Sequence, residues 1–392
     1  MKSYNNLYDY PKNTPYFIDY CVNETLKNKY HRKDVEWAKE HRAEVAKESM
    51  EYFYNYYTKP HRILKIEDGN THKIREIMVP ADIPEQVVHH MVIATLQDKG
   101  FFKGLYPDSY GSIPGKGPHY GRKIIKNYIH HCVSKDGGKD IKYYLKTDIS
   151  KYFPSIPHDI IKSKLAEKIR DKKFLKLLYD IIDVTGTDRG LPIGFFTSQW
   201  FANWYLTDFD HFMAEHLMLP VGRGKKQKME RIKVRYFRYM DDMVIFSSNK
   251  NDLWKIKDLM IQKLKDELGL TVKPNWVIHK FSYVNPKTDK ATGMPLDFMG
   301  FKFYRNRVTL RKSILHGIVS RSRRYCRYSK VIKDHQSIMY ARSYLKYSDT
   351  YSYAVEHIYP NVNFKDVRKR ISTLTKLNNA KKETKNVNLV QK

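Results

Sequence analysis

Apolar positions along this chain change their period several times, and each change marks an element. From about residue 20 to 57 they recur at helical spacing, as in "DVEWAKEHRAEVAKESMEYFYNYY". At 61 the texture shortens. Ile63, Ile66, Ile74 and Ile77 lie in extended runs on either side of "DGN", a hairpin signal. "PEQVVHHMVIATLQDKGFF" then reads as a helix, and "PDSYGSIPGKGPHYG" as a Gly/Pro-rich loop. "KYYLKTDISKYFPSI" reads as a strand followed by a turn. Helical patterns cover 158–182 and 197–217, followed by the basic loop "VGRGKKQKMERIK" and a pair of apolar runs at 234–246. A helix is predicted over 251–268, then strands to about 310. "KLNNAKKETKNVNLVQK" is polar enough to predict a disordered tail. The chain has no internal repeat.

The run "VRYFRYMDDMVIF" carries two adjacent aspartates, Asp241 and Asp242, among β-branched and aromatic residues that predict a buried strand or hairpin. Buried carboxylates are costly unless something positive meets them. A second apolar strand, "YYLKTDISKYF", also ends on an acid, Asp148. Three carboxylates from two adjacent strand ends can bind two Mg²⁺, with Mn²⁺ as a substitute, the arrangement of in-line phosphoryl transfer. One ion would lower the pKa of a primer 3′-hydroxyl and the other would hold a triphosphate. An Asp-Asp pair by itself is more often a solvated turn or a cap. The strand context and the third acid separate this pair from that ordinary case.

Charge narrows the partner. The 392 residues carry 72 Lys and Arg against 42 Asp and Glu, a formal charge of +30, with 31 tyrosines and 18 phenylalanines interleaved. Such a chain suits a polyanion whose bases also stack, namely nucleic acid. Residues 305–346 alone hold twelve Lys or Arg and one acid, Asp334. Cys21, Cys132 and Cys326 are far apart, so neither a disulfide framework nor a zinc site is indicated. His89-His90 and His130-His131 lack partners at ligand spacing and read as polar helix-face residues. No apolar run approaches the ~18 residues of a membrane span, and the first residues lack an apolar signal core. A cytoplasmic, reduced protein without membrane attachment is expected.

With these residues in view, the chain resembles the reverse transcriptases. "YMDD" at 239–242 looks like their C motif, "DISKYF" at 148–153 their A motif, and "GLPIGFFTSQWFANWYL" at 190–206 their B motif. "LDFMGFKF" at 296–303 resembles the primer grip, and "HKIREIMVPADIPEQVVHHMVIATL" the fingers block. The resemblance implies an α/β right-hand polymerase fold: fingers, a palm of antiparallel sheet plus helices, and a helical thumb. The corresponding divisions are a helical N-terminal extension over 1–60, fingers and palm over 61–304, a basic helical thumb over 305–375, and the tail over 376–392.

The resemblance also implies roles. Asp148, Asp241 and Asp242 are the catalytic acids, and with the backbone carbonyl of Ile149 they are the metal ligands. Lys73 and Arg75 alternate on a strand, so both project to one face, where they could meet the β- and γ-phosphates; an exposed hairpin charge pair is the plain alternative. Phe153 stands where the family places a steric gate against a 2′-hydroxyl, and it could equally be a core aromatic. Ile193 and Gly194 would approach the incoming nucleotide. Ser198 and Gln199 open the following helix, Ser198 as a cap or contact and Gln199 toward template backbone. Tyr239, Met240, Met299 and Gly300 would contact template or primer, with Arg323, Arg324 and Arg327 in the thumb tracking phosphates.

Two departures refine the comparison. The IGxxxSQ form at 193–199 resembles the enzymes of diversity-generating retroelements, which copy a template RNA with poor adenine fidelity; phage-defence reverse transcriptases share much of the same core. Where the family carries a motif D lysine, "LGLTVKPNWVIHKF" offers Trp276, leaving Lys273 or Lys280. The expected partners are an RNA template, a DNA or RNA primer, dNTPs, a structured non-coding RNA, and an accessory protein or second copy. An RNA polymerase, a metal nuclease and a non-catalytic RNA scaffold are the competing readings; a steric gate argues against the first, a primer grip against the second, and clustered acids against the third.

Overall fold

The computed structural model describes residues 3–29, 32–67, 74–222, 227–285, 287–328 and 332–390, and the side chains of 326–328, 332–334 and 378–390 are not described. Two compact units divide the chain: residues 1–117 with 142–279, and residues 118–141 with 280–392.

The first unit is built around a four-stranded sheet in which Arg235–Tyr239 pairs with Asp242–Ser247, that strand with Tyr143–Asp148, and that one with Val277–Lys280. The first two of these pairings are antiparallel. Met243 to Ser247 are all buried, without polar alternation, because the sheet is covered rather than open to water on one face. Helix Lys250–Leu268 is one of the covering elements. It buries Leu253, Ile256, Met260, Leu264 and Leu268 at three- and four-residue spacing, is capped by the Asn249 side chain, and stops at Gly269 in a left-handed conformation.

Helix Ile83–Asp98 is buried nearly all round, capped by Asp82 accepting from the Glu85 amide, and packed by helices Phe17–Leu26, Arg42–Tyr54 and Phe196–Tyr205. The helices before residue 60 contribute to the same core. The predicted hairpin around "DGN" forms from Arg62–Glu67 and Ile74–Val79, its turn lying outside the described residues.

The second unit combines helix Pro118–Asp136 with a three-stranded meander, Leu296–Phe298, Phe301–Phe303 and Val308–Leu310, and, among the described residues, four helices from Lys312 onward. This unit begins at 280 and also takes in the distant segment 118–141. The last helix runs Phe364–Val390 through the stretch expected to be a disordered tail. That stretch lacks Gly and Pro and is rich in Lys and Asn with Leu and Ala, so its low hydropathy does not prevent helical hydrogen bonding.

Candidate active site

Strand register brings the acids together. Asp148 is opposite Asp242 on the neighbouring strand, and Asp242 is opposite Tyr239 on the next, which leaves Met240 and Asp241 as a two-residue turn. Such turns need positive φ at a central position; Met240 takes it, with φ 53°. The carbonyl of Asp241 accepts from the amide of Ile149 at 3.3 Å, tying the turn to the residue after Asp148. Beyond Asp148 the chain is bracketed by Thr271–Lys273: Ser150 N donates to Thr271 O at 2.7 Å and Lys273 N to Asp148 O at 2.8 Å.

The two candidate lysines lie in different surroundings. The Lys273 ammonium is paired with Asp148 Oδ2, whereas Lys280 is exposed beside the Tyr283 ring. Trp276, at the position expected to hold lysine, packs edge-on against Trp254 with the Lys257 ammonium 4.7 Å from its ring centre. An isolated antiparallel bridge between Val272 and Ile149 sets Lys273 beside Asp148.

The other carboxylate oxygen, Asp148 Oδ1, is buried with no hydrogen-bond partner. Asp241 beside it has its carboxyl pushed up to about 7, by burial first, then by the charge of Asp148 and a hydrogen bond shared with that side chain and, more weakly, by the charge of Asp242. One proton, or one cation, can therefore bridge the Asp148–Asp241 pair. A divalent ion fits this donor set, because an orphaned buried carboxylate oxygen and a mutually repelling acid are what such an ion would satisfy. Among the described residues no three His, Cys, Asp or Glu side chains form a ready-made cage. Magnesium in phosphoryl-transfer sites commonly takes one or two carboxylates and completes its shell with phosphates and water.

The B-motif segment is docked on the hairpin. Met78 N donates to Ile193 O at 2.7 Å, and Gly194, at φ 121°, leaves no room for a Cβ, which would fall 2.2 Å from Met78 O. Ile193 is half-buried and Gly194 exposed. Helix Phe196–Tyr205 is entered at Phe195, so Ser198 is not its cap; Ser198 is buried inside the first turn, and Gln199 is exposed. Phe153 is half-buried against the core, its carbonyl accepting from Leu191 N at 2.9 Å. Arg75 is an exposed strand residue opposite Ile66, and Lys73 lies outside the described residues.

Other predicted contacts lie elsewhere. In the second unit, Met299 and Gly300 form the tight turn of the meander, both at positive φ, and Met299 is only 7 % exposed, so this turn offers backbone more than side chain. Arg323 and Arg324 are exposed on helix Lys312–Tyr328; Arg327 is in the same helix, but its side chain is not described. His130 and His131 are exposed on their helix, whereas His89 is fully buried and meets Thr197 Oγ1 at 3.1 Å. Sequence reading missed Arg238, Asp210, Asn203 and Gly111, which surround the Met240 turn; a charged residue inside the apolar run "RYFRYMDD" was their one visible trace.

A family model described as reverse transcriptase (RNA-dependent DNA polymerase) matches residues 70–303. The chain is 28% identical over 202 residues to the retron Ec73 reverse transcriptase of Escherichia coli, covering 49% of this chain and 56% of that protein. It is 23% identical over 216 residues to protein YkfC of Escherichia coli strain K12, covering 49% and 55%. Likeness to the group II intron-encoded protein LtrA of Lactococcus lactis subsp. cremoris is 25% over 190 residues, 46% of this chain and 29% of that one. The chain thus spans about half the length of the first two relatives.

Proposed function

This chain belongs to the reverse transcriptase family, and we propose that it is an RNA-directed DNA polymerase that copies an RNA template into cDNA by phosphoryl transfer at Asp148, Asp241 and Asp242. The observation that carries the reading is the Asp148–Asp241 pair, held together at adjacent strand ends with one buried oxygen unsatisfied, inside the matched segment. Divalent-metal dependence is general in the family; Mg²⁺, with Mn²⁺ as a substitute, is the proposed ion. Asp148 and Asp241, with Asp242 and the Ile149 carbonyl, would hold it. Bound there, it supplies charge neutralisation for the triphosphate and lowers the pKa of the attacking hydroxyl.

The chain's own residues do the rest. Lys273 holds Asp148 Oδ2 and keeps a positive charge beside the reacting phosphates. Lys73 and Arg75 bind the β- and γ-phosphates. Phe153 walls the sugar's 2′ position, while Ile193 and Gly194 face the incoming nucleotide with apolar surface and bare backbone. Tyr239 and Met240 support the primer end, Gln199 the template with the buried Ser198 packed behind it, Met299 and Gly300 the primer strand. Arg323, Arg324 and Arg327 track phosphates of the duplex.

The test is extension of a primer on a defined RNA template, comparing kcat/KM for dCTP with that for CTP. Strong preference for dCTP, reduced at least tenfold by Phe153→Ala, is expected. Equal use of CTP by the wild-type protein would favour an RNA polymerase, and no extension at all a scaffold. The likeness to a retron reverse transcriptase supports a more specific second reading: a dedicated, structured non-coding RNA as template, with the cDNA used in antiviral defence rather than in diversifying a gene. Sequencing the RNA that co-purifies with the protein, and any cDNA attached to it, separates the two.

A further inference from the structure

Arg238 and Asp210 are both completely buried, an arrangement that needs explanation because burying two charges is costly and apolar side chains of similar size often do as well. Arg238 Nε donates to both Asp210 oxygens at 2.8 and 2.9 Å, and Nη2 to Oδ2 at 2.7 Å. Tyr236 Oη donates to the same carboxylate at 2.8 Å. The other three N–H donors are spent elsewhere, with Nη2 also reaching Asn203 O at 3.3 Å. Nη1 reaches the carbonyl of Met240 at 2.9 Å and Asn203 Oδ1 at 3.2 Å.

Asn203 passes the contact on. Its Nδ2 donates to Gly111 O at 2.8 Å and lies 3.7 Å from Met240 Sδ. Gly111 presses on the turn from the other side: a Cβ there would fall 2.4 Å from Met240 Cγ and 2.9 Å from Met240 N. The segment carrying Gly111 is itself laid along the strand of Arg238, whose amide donates to Asp108 O and whose carbonyl accepts from Tyr110 N, each at 3.0 Å. Met240 keeps a left-handed conformation that an unbranched L residue adopts only when its surroundings over-determine it. With Met240 O held by Arg238 and Asp241 O held by Ile149 N, the backbone that carries Asp241 is pinned on both sides of the residue, beside the end of the Asp148 strand.

We infer that Arg238 is a positioning residue for the catalytic turn: anchored on Asp210 and relayed through Asn203 to Gly111, its guanidinium sets the Met240 carbonyl and through it the placement of Asp241. The inference rests on the polymerase reading for its effect on rate, but not for its effect on the turn. A fork is required. A lysine ammonium carries three N–H donors, but on a single nitrogen, so it cannot span Asp210 and the Met240 carbonyl as the separate Nε, Nη2 and Nη1 positions do.

The test uses the full chain with two variants, Arg238→Lys, and Arg238→Met combined with Asp210→Asn, which keeps an acceptor for Tyr236. The first readout is hydrogen exchange of the peptide spanning 237–246, compared with other strands of the sheet. Both variants should lose protection at that peptide alone, and Arg238→Lys should not restore it. The second is primer extension, where kcat should fall at least tenfold while KM for dNTP and template-primer Kd stay within threefold. A folded variant with wild-type exchange and wild-type kcat would overturn the inference and leave a plain buried ion pair. Loss of protection throughout the sheet would overturn it too, since the pair would then hold the whole fold. If the wild-type protein extends no primer, the polymerase reading fails and the exchange comparison still decides this one.

Discussion

Lys273 and Asp148 form an ion pair in which the ammonium takes Oδ2 while Oδ1 of the same carboxylate is left buried and unpartnered. The pair does two opposing things. It sets a positive charge against Asp148, where the triphosphate would also be drawn, and it occupies an oxygen that a divalent ion would also use. Both partners are about a quarter exposed, so the pair contributes only ~1 kcal/mol or less. Lys273→Met should therefore lower the Mg²⁺ concentration for half-maximal extension by a few-fold, and Lys280→Met should leave it unchanged. Identical Mg²⁺ curves for wild type and Lys273→Met would remove Lys273 from the site.

Asp241 makes stability depend on pH. Its carboxyl is pushed up to about 7 in the folded protein by burial and by Asp148, against roughly 3.9 in an unfolded chain. Between those values the folded state binds more protons, so this contribution is fully present below about pH 4 and is lost as pH rises through about 7. Without divalent ions, Tm of the wild type should fall more between about pH 5 and 8 than Tm of Asp241→Asn. Added Mg²⁺ should raise Tm more at about pH 8 than at about pH 5.5, because the ion competes with the proton. Parallel Tm curves for the two proteins would contradict this.

Gly194→Ala should undock the hairpin. The new Cβ would meet Met78 O at 2.2 Å and Ile77 Cγ2 at 2.7 Å, breaking the Met78–Ile193 hydrogen bond. Gly186→Ala is the matched control, since Gly186 also has positive φ but open space around it. Backbone strain alone costs about 1–2 kcal/mol, so Gly186→Ala should lower Tm slightly and leave KM for dNTP unchanged. Gly194→Ala should lower Tm further and raise KM severalfold. Equal effects on KM would mean that the docking has no bearing on nucleotide binding.

What the sequence disclosed follows from what is local in it. Asp148 and Asp242 sit at strand ends and Asp241 in the turn beside them, all next to strongly apolar runs, so the strands and their acid-bearing ends could be read from sequence while their register could not. Ser198 was open to reading as a cap because helix entry is uncertain by a residue or two; the structure enters at Phe195. Trp276 drew attention away from Lys273 because spacing along the chain says nothing about how Val272 pairs with Ile149. The Arg238–Asp210 contact joins residues 28 apart, and no periodicity announces it. The same holds for segment 118–141, which is continuous in sequence with the first unit but grouped with the second.

The most direct test of the account is single-nucleotide extension of a primer on an RNA template by purified Asp148→Asn and Asp241→Asn proteins, with template-primer Kd measured alongside. Asparagine keeps the shape and removes the charge, so folding and duplex binding should survive while charge stabilisation in the transition state is lost. The expected result is a fall in kcat on the order of a hundredfold or more, with Kd within threefold of wild type. Undiminished extension by Asp241→Asn would contradict the assignment of these carboxylates, and with it the polymerase mechanism proposed for this chain.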